Sequence, residues 1–167
     1  LCSVATGIGS DGVLEVTQRD GANAVVTIWN PDGSTAEMSG NGVRIAARWL
    51  AAETGAAEVT IEADRRRVVA RMINALRADT DVGPFAVGVP EVVDGIELTT
   101  ASLGNPHAVI RLETPTRDDL LRLGPLIENH GRFPARTNVQ LVRVDGRHDL
   151  TVLVWERGAG ETSSSGS

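Results

Sequence analysis

Residues 36–44 read AEMSGNGVR. A serine precedes Gly-Asn-Gly, and a run of helical character, NGVRIAARWLAAET (41–54), follows at once. Val43, Ala46, Ala47 and Leu50 fall on one stripe of that run, the spacing of a helix with one buried face. Ser39 is predicted at its start and Gly55 at its stop, because serine caps helix N-termini and glycine tolerates the left-handed conformation that ends them. At the far end, ERGAGETSSSGS (156–167) again sets serine beside glycine. Two Ser-Gly turns in one small chain suggest two related halves.

Working outward, short β-like runs dominate. VLEV (13–16), AVVTIW (24–29), EVTIEA (58–63) and VVARM (68–72) precede Gly83-Pro84; FAVGV (85–89), GIELTT (95–100), HAVIRL (107–112), NVQLVRV (138–144) and DLTVLVW (149–155) follow it. Each is rich in β-branched residues and bounded by turn formers. In 149–155, Leu150, Val152 and Val154 alternate with Thr151, Leu153 and Trp155, so both faces of that strand are expected to be buried. A second helical segment, 116–130, opens with Thr116 as N-cap and acids in its first turn, and Gly124-Pro125 is expected to break it into two short helices. The order of elements predicts an α/β (α+β) protein of two similar lobes, 1–83 and 84–167. If the first turn launches a helix, so should the second, and the sequence stops there. The chain therefore reads as a fragment truncated at both ends.

Composition narrows the function. With 167 residues and a net charge of −6, the chain can bury a core but offers no basic surface. Its only basic run, Arg65-Arg66-Arg67, lies among acids with no aromatic residues interleaved, which reads as a solvated strand end. Nucleic acid is a poor partner for such a surface. One cysteine, Cys2, excludes an internal disulfide, and its spacing from His107, His130 and His148 suits no metal, so none is expected. No stretch approaches the ~18 apolar residues of a membrane span, and no signal peptide is visible, so no membrane partner and a cytoplasmic location are expected. There is no tyrosine and no lysine; all 16 basic residues are arginine. Pyridoxal phosphate is held through a lysine Schiff base, which this chain cannot form, and a P-loop lysine is missing for the same reason.

The turns carry chemistry of their own. The first N–H groups of a helix lack internal partners and sit at the positive end of its dipole. Gly40 and Asn41 are therefore candidates for a carboxylate cradle, and Gly166 and Ser167 for a second. Ser39 and Ser165 would then flank the carbon beside that carboxylate. Asn30 lies in NPDGS, Asn105 and His107 in GNPHAV, and Asn138 opens a strand in RTNV. Glu156-Arg157 follow an apolar strand, where ions need partners.

The segments GIGSDG (7–12), NPDGSTAEMSGNGVR (30–44), GNPHAV (104–109), GPLIENHGRFPARTNV (124–139) and VWERGAGET (154–162) resemble diaminopimelate epimerase, in the family's order and across nearly the whole chain. The resemblance implies two α/β lobes, each a β-barrel-like sheet around a central helix. It implies a cofactor-independent epimerase of lysine biosynthesis that interconverts LL- and meso-diaminopimelate, a small amino-acid substrate. In that family two cysteines flank the substrate Cα, one removing a proton and the other delivering one to the opposite face. Those cysteines match Ser39 and Ser165 here. Asn30, Asn105, Asn138, Glu156 and Arg157 match substrate-binding positions, and Gly40-Asn41 and Gly166-Ser167 match the helix-end carboxylate sites. His107 and Glu156 match residues that support catalysis. The family's N-terminal strand, the helix after the second turn and the C-terminal segment that helps form its homodimer have no counterpart in this sequence.

Serine for cysteine changes the energetics. A thiol begins near pKa ~8.5, whereas water at ~15.7 is a fair proxy for an alcohol. An alkoxide at pH 7 is thus about 9 units, or roughly 12 kcal/mol, uphill. A helix dipole supplies at most ~2 kcal/mol. Three readings follow: an epimerase in which a neighbouring base such as His107 or Glu156 carries the proton, a diamino-acid or carboxylate-binding homologue with altered or lost chemistry, or serines introduced to silence the enzyme.

Overall fold

The computed structural model describes residues 1–3 and 5–163. The chain divides into two compact units, one covering Leu1–Pro84 and the other running from Phe85 onward. Each combines one six-stranded sheet with one helix.

In the first unit, β1 (Val13–Asp20), β2 (Asn23–Trp29), β4 (Glu58–Ala63), β5 (Arg66–Asn74) and β6 (Arg77–Asp81) form the sheet in the order β1-β2-β4-β5-β6, and β3 (Thr35–Ala36) adds to β2. Every pairing is antiparallel except β2 with β4. That parallel step needs a crossover, and helix α1 (Gly40–Thr54) supplies it. The apolar stripe read from the sequence is the buried one. Val43, Ala47 and Leu50 are fully buried against Val26, Val59, Ile61 and Val68 from the strands. Ser39 caps the helix, and Gly55, at φ 71°, closes it by donating its N–H to the Ala51 carbonyl. Arg65 lies in the β4–β5 turn, and Arg66 opens β5 with its Nη1 on the Val82 carbonyl at 2.9 Å.

In the second unit the order is β12-β11-β10-β9-β8-β7. These strands are β7 (Ala86–Val93), β8 (Ile96–Ser102), β9 (Pro106–Arg111), β10 (Asn138–Val144), β11 (Leu150–Glu156) and β12 (Gly160–Thr162). Again one pair is parallel, β9 with β10, and its crossover holds helix α2 (Arg117–Glu128). Leu120, Leu123 and Ile127 of α2 pack with Ala108, Ile110, Val139 and Leu141. Because side chains alternate across a sheet, His107, Asn138 and Gln140 lie on the face opposite α2.

Two expectations need correction. Gly124-Pro125 does not break the second helix, which runs unbroken from Arg117 to Glu128 with Pro125 inside it. Gly124 is there for closeness: a Cβ on it would come within 2.5 Å of the Trp155 ring. Nor are both faces of β11 buried. Leu153 and Trp155 pack on the core, but Leu150 is 61% and Val152 41% exposed. The short strands β3, β6 and β12 escaped the sequence reading, and β7 extends past Pro90, which sits where the β7–β8 register shifts on an edge strand.

The two units repeat one motif. On β2, Ile28 and Trp29 pair with Ala36 and Thr35; on β11, Val154 and Trp155 pair with Thr162 and Glu161. All four positions move by the same step of 126, from 28 to 154, 29 to 155, 35 to 161 and 36 to 162. The same step carries Ser39 to Ser165 in the sequence. Ser165, with Gly166 and Ser167, lies outside the described residues.

Candidate active site

The residues singled out in the sequence fall into two local groups, one on each unit. On the first, Ser39 is half-buried with extended backbone, φ −140° and ψ 113°, and its hydroxyl oxygen accepts from the Gly42 amide at 3.0 Å. The next N–H groups belong to Gly40, Asn41 and Gly42, at the helix end where donors lack internal acceptors. No acid occupies the first turn of α1. The positive end of a helix dipole favours an anion. Helix α2 is the contrast: Asp118 and Asp119 fill its first turn, and Thr116 and Asp119 close it as a capping box. The Asn41 side-chain oxygen accepts from the Arg44 guanidinium. Asn30 closes the 30–34 turn: its side-chain amide donates to the Ser34 hydroxyl at 3.0 Å and its carbonyl accepts from Gly33, which sits at φ 85°.

On the second unit a buried polar net is built from strand ends. His107 is 4% exposed and Asn105 5%. The Nε2 of His107 lies 3.1 Å from Asn105 Oδ1, and its Nδ1 lies 3.0 Å from the side-chain nitrogen of Gln140. Those partners fix the tautomer, with Nε2–H donating to Asn105 and Nδ1 accepting from Gln140. Burial pushes the His107 pKa below its usual 6.5, and the charge of Arg157 pushes the same way, against the opposing effect of the Gln140 bond. The ring is therefore neutral at pH 7, and both its nitrogens are engaged.

Asn138, paired with His107 across the parallel β9–β10 ladder, uses both ends of its amide. Its nitrogen donates to the Pro106 carbonyl at 2.8 Å, and its oxygen accepts from the Arg157 backbone N–H at 3.0 Å. Arg157 is 8% exposed and donates from Nη1 to the Ala135 carbonyl at 3.2 Å. Glu156 ends β11 half-buried, opening the turn in which its carbonyl accepts from Ala159. Asn105, His107, Asn138 and Arg157 thus form one connected neighbourhood, in which Glu156 is the residue before Arg157.

Sequence reasoning missed two members. Gln140 holds the second nitrogen of His107, and its own Oε1 is buried with no hydrogen-bond partner. Glu128, 6% exposed, accepts from Trp155, Gly158 and Arg136. The signal for Gln140 was available, since a polar residue inside the apolar run NVQLV must find a partner. Among the described residues, no three His, Cys, Asp or Glu side chains gather as a metal would require, and no helix is long and apolar enough to cross a membrane.

Known proteins share both the sequence and the fold. The family profile described as diaminopimelate epimerase matches residues 1–83 and 99–167. The diaminopimelate epimerase of Moorella thermoacetica is 36% identical over all of this chain, which spans 68% of that protein. Those of Desulforapulum autotrophicum and Methanothermobacter thermautotrophicus are each 37% identical, with 68% and 67% of their lengths spanned. Among solved structures, a probable proline racemase from Agrobacterium radiobacter superposes with a TM-score of 0.64 at 17% identity, covering 90% of this chain and 54% of its own. A hydroxyproline epimerase from Agrobacterium vitis superposes at 0.63, with the same identity and coverage. The structures share the fold; the sequence relatives, matched along the full chain, establish that this protein belongs to the diaminopimelate epimerase family.

Proposed function

We propose that this chain is the site-bearing part of a cofactor-independent epimerase that interconverts LL- and meso-2,6-diaminopimelate. Ser39 and Ser165 hold the two proton-transfer positions: one takes the Cα proton, the other returns a proton to the opposite face. The observation that carries this reading is the tip of α1. Ser39 caps it, Gly40 and Asn41 supply the first backbone N–H groups of the helix, and its first turn contains no acid. Such a tip suits the carboxylate of an amino acid and stabilises negative charge developing beside it.

A serine cannot reach the anionic form on the dipole alone, because roughly 12 kcal/mol is needed and at most ~2 is supplied. A base must take its proton. His107 is neutral, but both its nitrogens are already bonded to side chains. In this proposal it orients Asn105, while Glu156 carries the proton. Arg157 takes the distal carboxylate of the substrate, Asn30, Asn105 and Asn138 complete the binding set, and Gly166-Ser167 form the second cradle.

The serines favour one further reading, a diamino-acid-binding homologue without turnover. Incubation with LL- or meso-diaminopimelate in D₂O separates the two. The epimerase incorporates deuterium at Cα; saturable binding with no incorporation leaves the binding protein, and the absence of both binding and incorporation rejects both readings.

A further inference from the structure

Glu128 is an expensive residue to place. It is the last residue of α2, where the helix dipole is negative, it is buried, and no basic residue shares the last turn. An anion there is disfavoured twice, by the dipole and by desolvation. Three donors offset this. Oε2 accepts from the Trp155 indole N–H at 2.7 Å, and Oε1 accepts from the Gly158 backbone N–H at 2.9 Å and from Arg136 Nη1 at 3.2 Å.

What matters is where those donors sit. Trp155 and Gly158 are the immediate neighbours of the dipeptide Glu156-Arg157, one on each side. The carboxylate therefore ties down the two flanks of the turn that carries both residues. The third donor reaches the same place by another route. Arg136 lies in the left-handed region at φ 59°, a conformation that costs a non-glycine residue free energy. The residue before it, Ala135, offers the carbonyl that accepts from Arg157, and Asn138, two residues after it, accepts from the Arg157 backbone N–H.

We infer that Glu128 is a positioning residue that fixes the Glu156-Arg157 turn for substrate. The inference rests on the function proposed above, in which Arg157 receives the distal carboxylate. Glu128 touches no substrate; it acts through the turn it anchors. An amide in its place keeps one acceptor oxygen and turns an N–H₂ group toward the other donors, so Glu128→Gln frees at least one flank.

The test combines amide hydrogen exchange with a double-mutant cycle in the intact protein, using Glu128→Gln, Arg157→Ala and both together. Glu128→Gln is expected to speed exchange at the Gly158 and Arg157 amides at least about tenfold. It is also expected to weaken meso-diaminopimelate binding, measured by calorimetry, at least about tenfold when Arg157 is present and less than about twofold when it is replaced. Equal losses in the two backgrounds, or unchanged exchange at both amides, overturns the inference. If the unmodified protein binds no diaminopimelate, the proposed function falls, and the exchange rates alone decide the role of Glu128. If Glu128→Gln does not fold, Trp155→Phe removes the indole donor, together with part of the ring, and runs through the same cycle with the same expected signs.

Discussion

The Ser39 hydroxyl oxygen sits 3.0 Å from the amide nitrogen of Gly42 and accepts its hydrogen bond. The fit around this contact is close: a Cβ on Gly42 would lie 3.2 Å from both Cβ and Oγ of Ser39 and 3.1 Å from Leu14 Cδ2. Removing the cap in Ser39→Ala should cost about 1 kcal/mol of stability, and Ser39→Gly only a few tenths. Gly42→Ala asks Leu14 and Ser39 to give by a few tenths of an ångström, against a gain of up to about 1 kcal/mol in helix propensity, so its stability should stay within about 1 kcal/mol of the parent. Urea unfolding of the three variants checks the order; a Ser39→Ala protein as stable as the parent contradicts the cap.

The same hydroxyl limits the chemistry. A thiol at a helix N-terminus ionises near neutrality, while an alcohol does not. Replacing Ser39 and Ser165 together by cysteine should therefore raise the rate of deuterium incorporation at Cα of diaminopimelate at least about a hundredfold, given the roughly 12 kcal/mol that separates an alkoxide from its alcohol at pH 7. Neither single replacement should match the double, since in the proposed reaction each position serves one face. A double variant no faster than the parent removes both positions from the reaction.

His107 gives a pH signature. Its pKa in the folded protein is depressed, first by burial and then by the charge of Arg157, so the unfolded chain takes up this proton at a higher pH than the folded one. Stability from this group is fully present above its ordinary value of about 6.5 and is lost as the pH falls from there toward the lower folded pKa. The difference in urea-unfolding free energy between the parent and His107→Gln should therefore narrow as the pH drops below about 6.5 and hold constant above it. A difference that stays flat through that window would mean that the ring is not buried in its neutral form.

Much of the fold was legible where one period ruled. The stripe of α1, with Ser39 and Gly55 marking its ends, needed only local sequence, and strands such as 58–63 and 138–144 showed β-branched runs between turn formers. Strand β6, RADTD, has no apolar alternation to read; it exists because β5 pairs with it, Ala70 opposite Thr80. The exposed Leu150 and Val152 misled for a different reason, since apolar residues on a strand do not say which of its faces is covered. At the site, motifs named the residues that would meet a substrate. They did not name Gln140 or Glu128, because a buried polar residue is explained by partners distant along the chain: His107 is 33 positions from Gln140, and Trp155 is 27 from Glu128.

Gly124-Pro125 teaches the sharpest lesson and gives the last prediction. A Gly-Pro pair usually marks a break, yet α2 continues through it. Pro125 lies in the final turn, where its missing N–H costs one hydrogen bond but few residues remain to be disturbed, and its carbonyl still accepts from the Asn129 side chain at 2.9 Å. Gly124 faces the Trp155 indole so closely that a Cβ would sit 2.5 Å from one ring carbon and 2.6 Å from another. The ring cannot simply yield, because its Nε1–H is bound to Glu128 on the same helix at 2.7 Å. Gly124→Ala should gain up to about 1 kcal/mol of helix propensity. It should lose about 1–3 kcal/mol or more to the overpacked ring, so the net effect is destabilising. Gly124→Ala combined with Trp155→Leu, which removes the obstructing ring, should recover part of that loss, whereas independent sites would add. Chemical denaturation of the two single variants and the double decides it: a Gly124→Ala protein more stable than the parent would show that the helix, and not the ring, set the residue at this position.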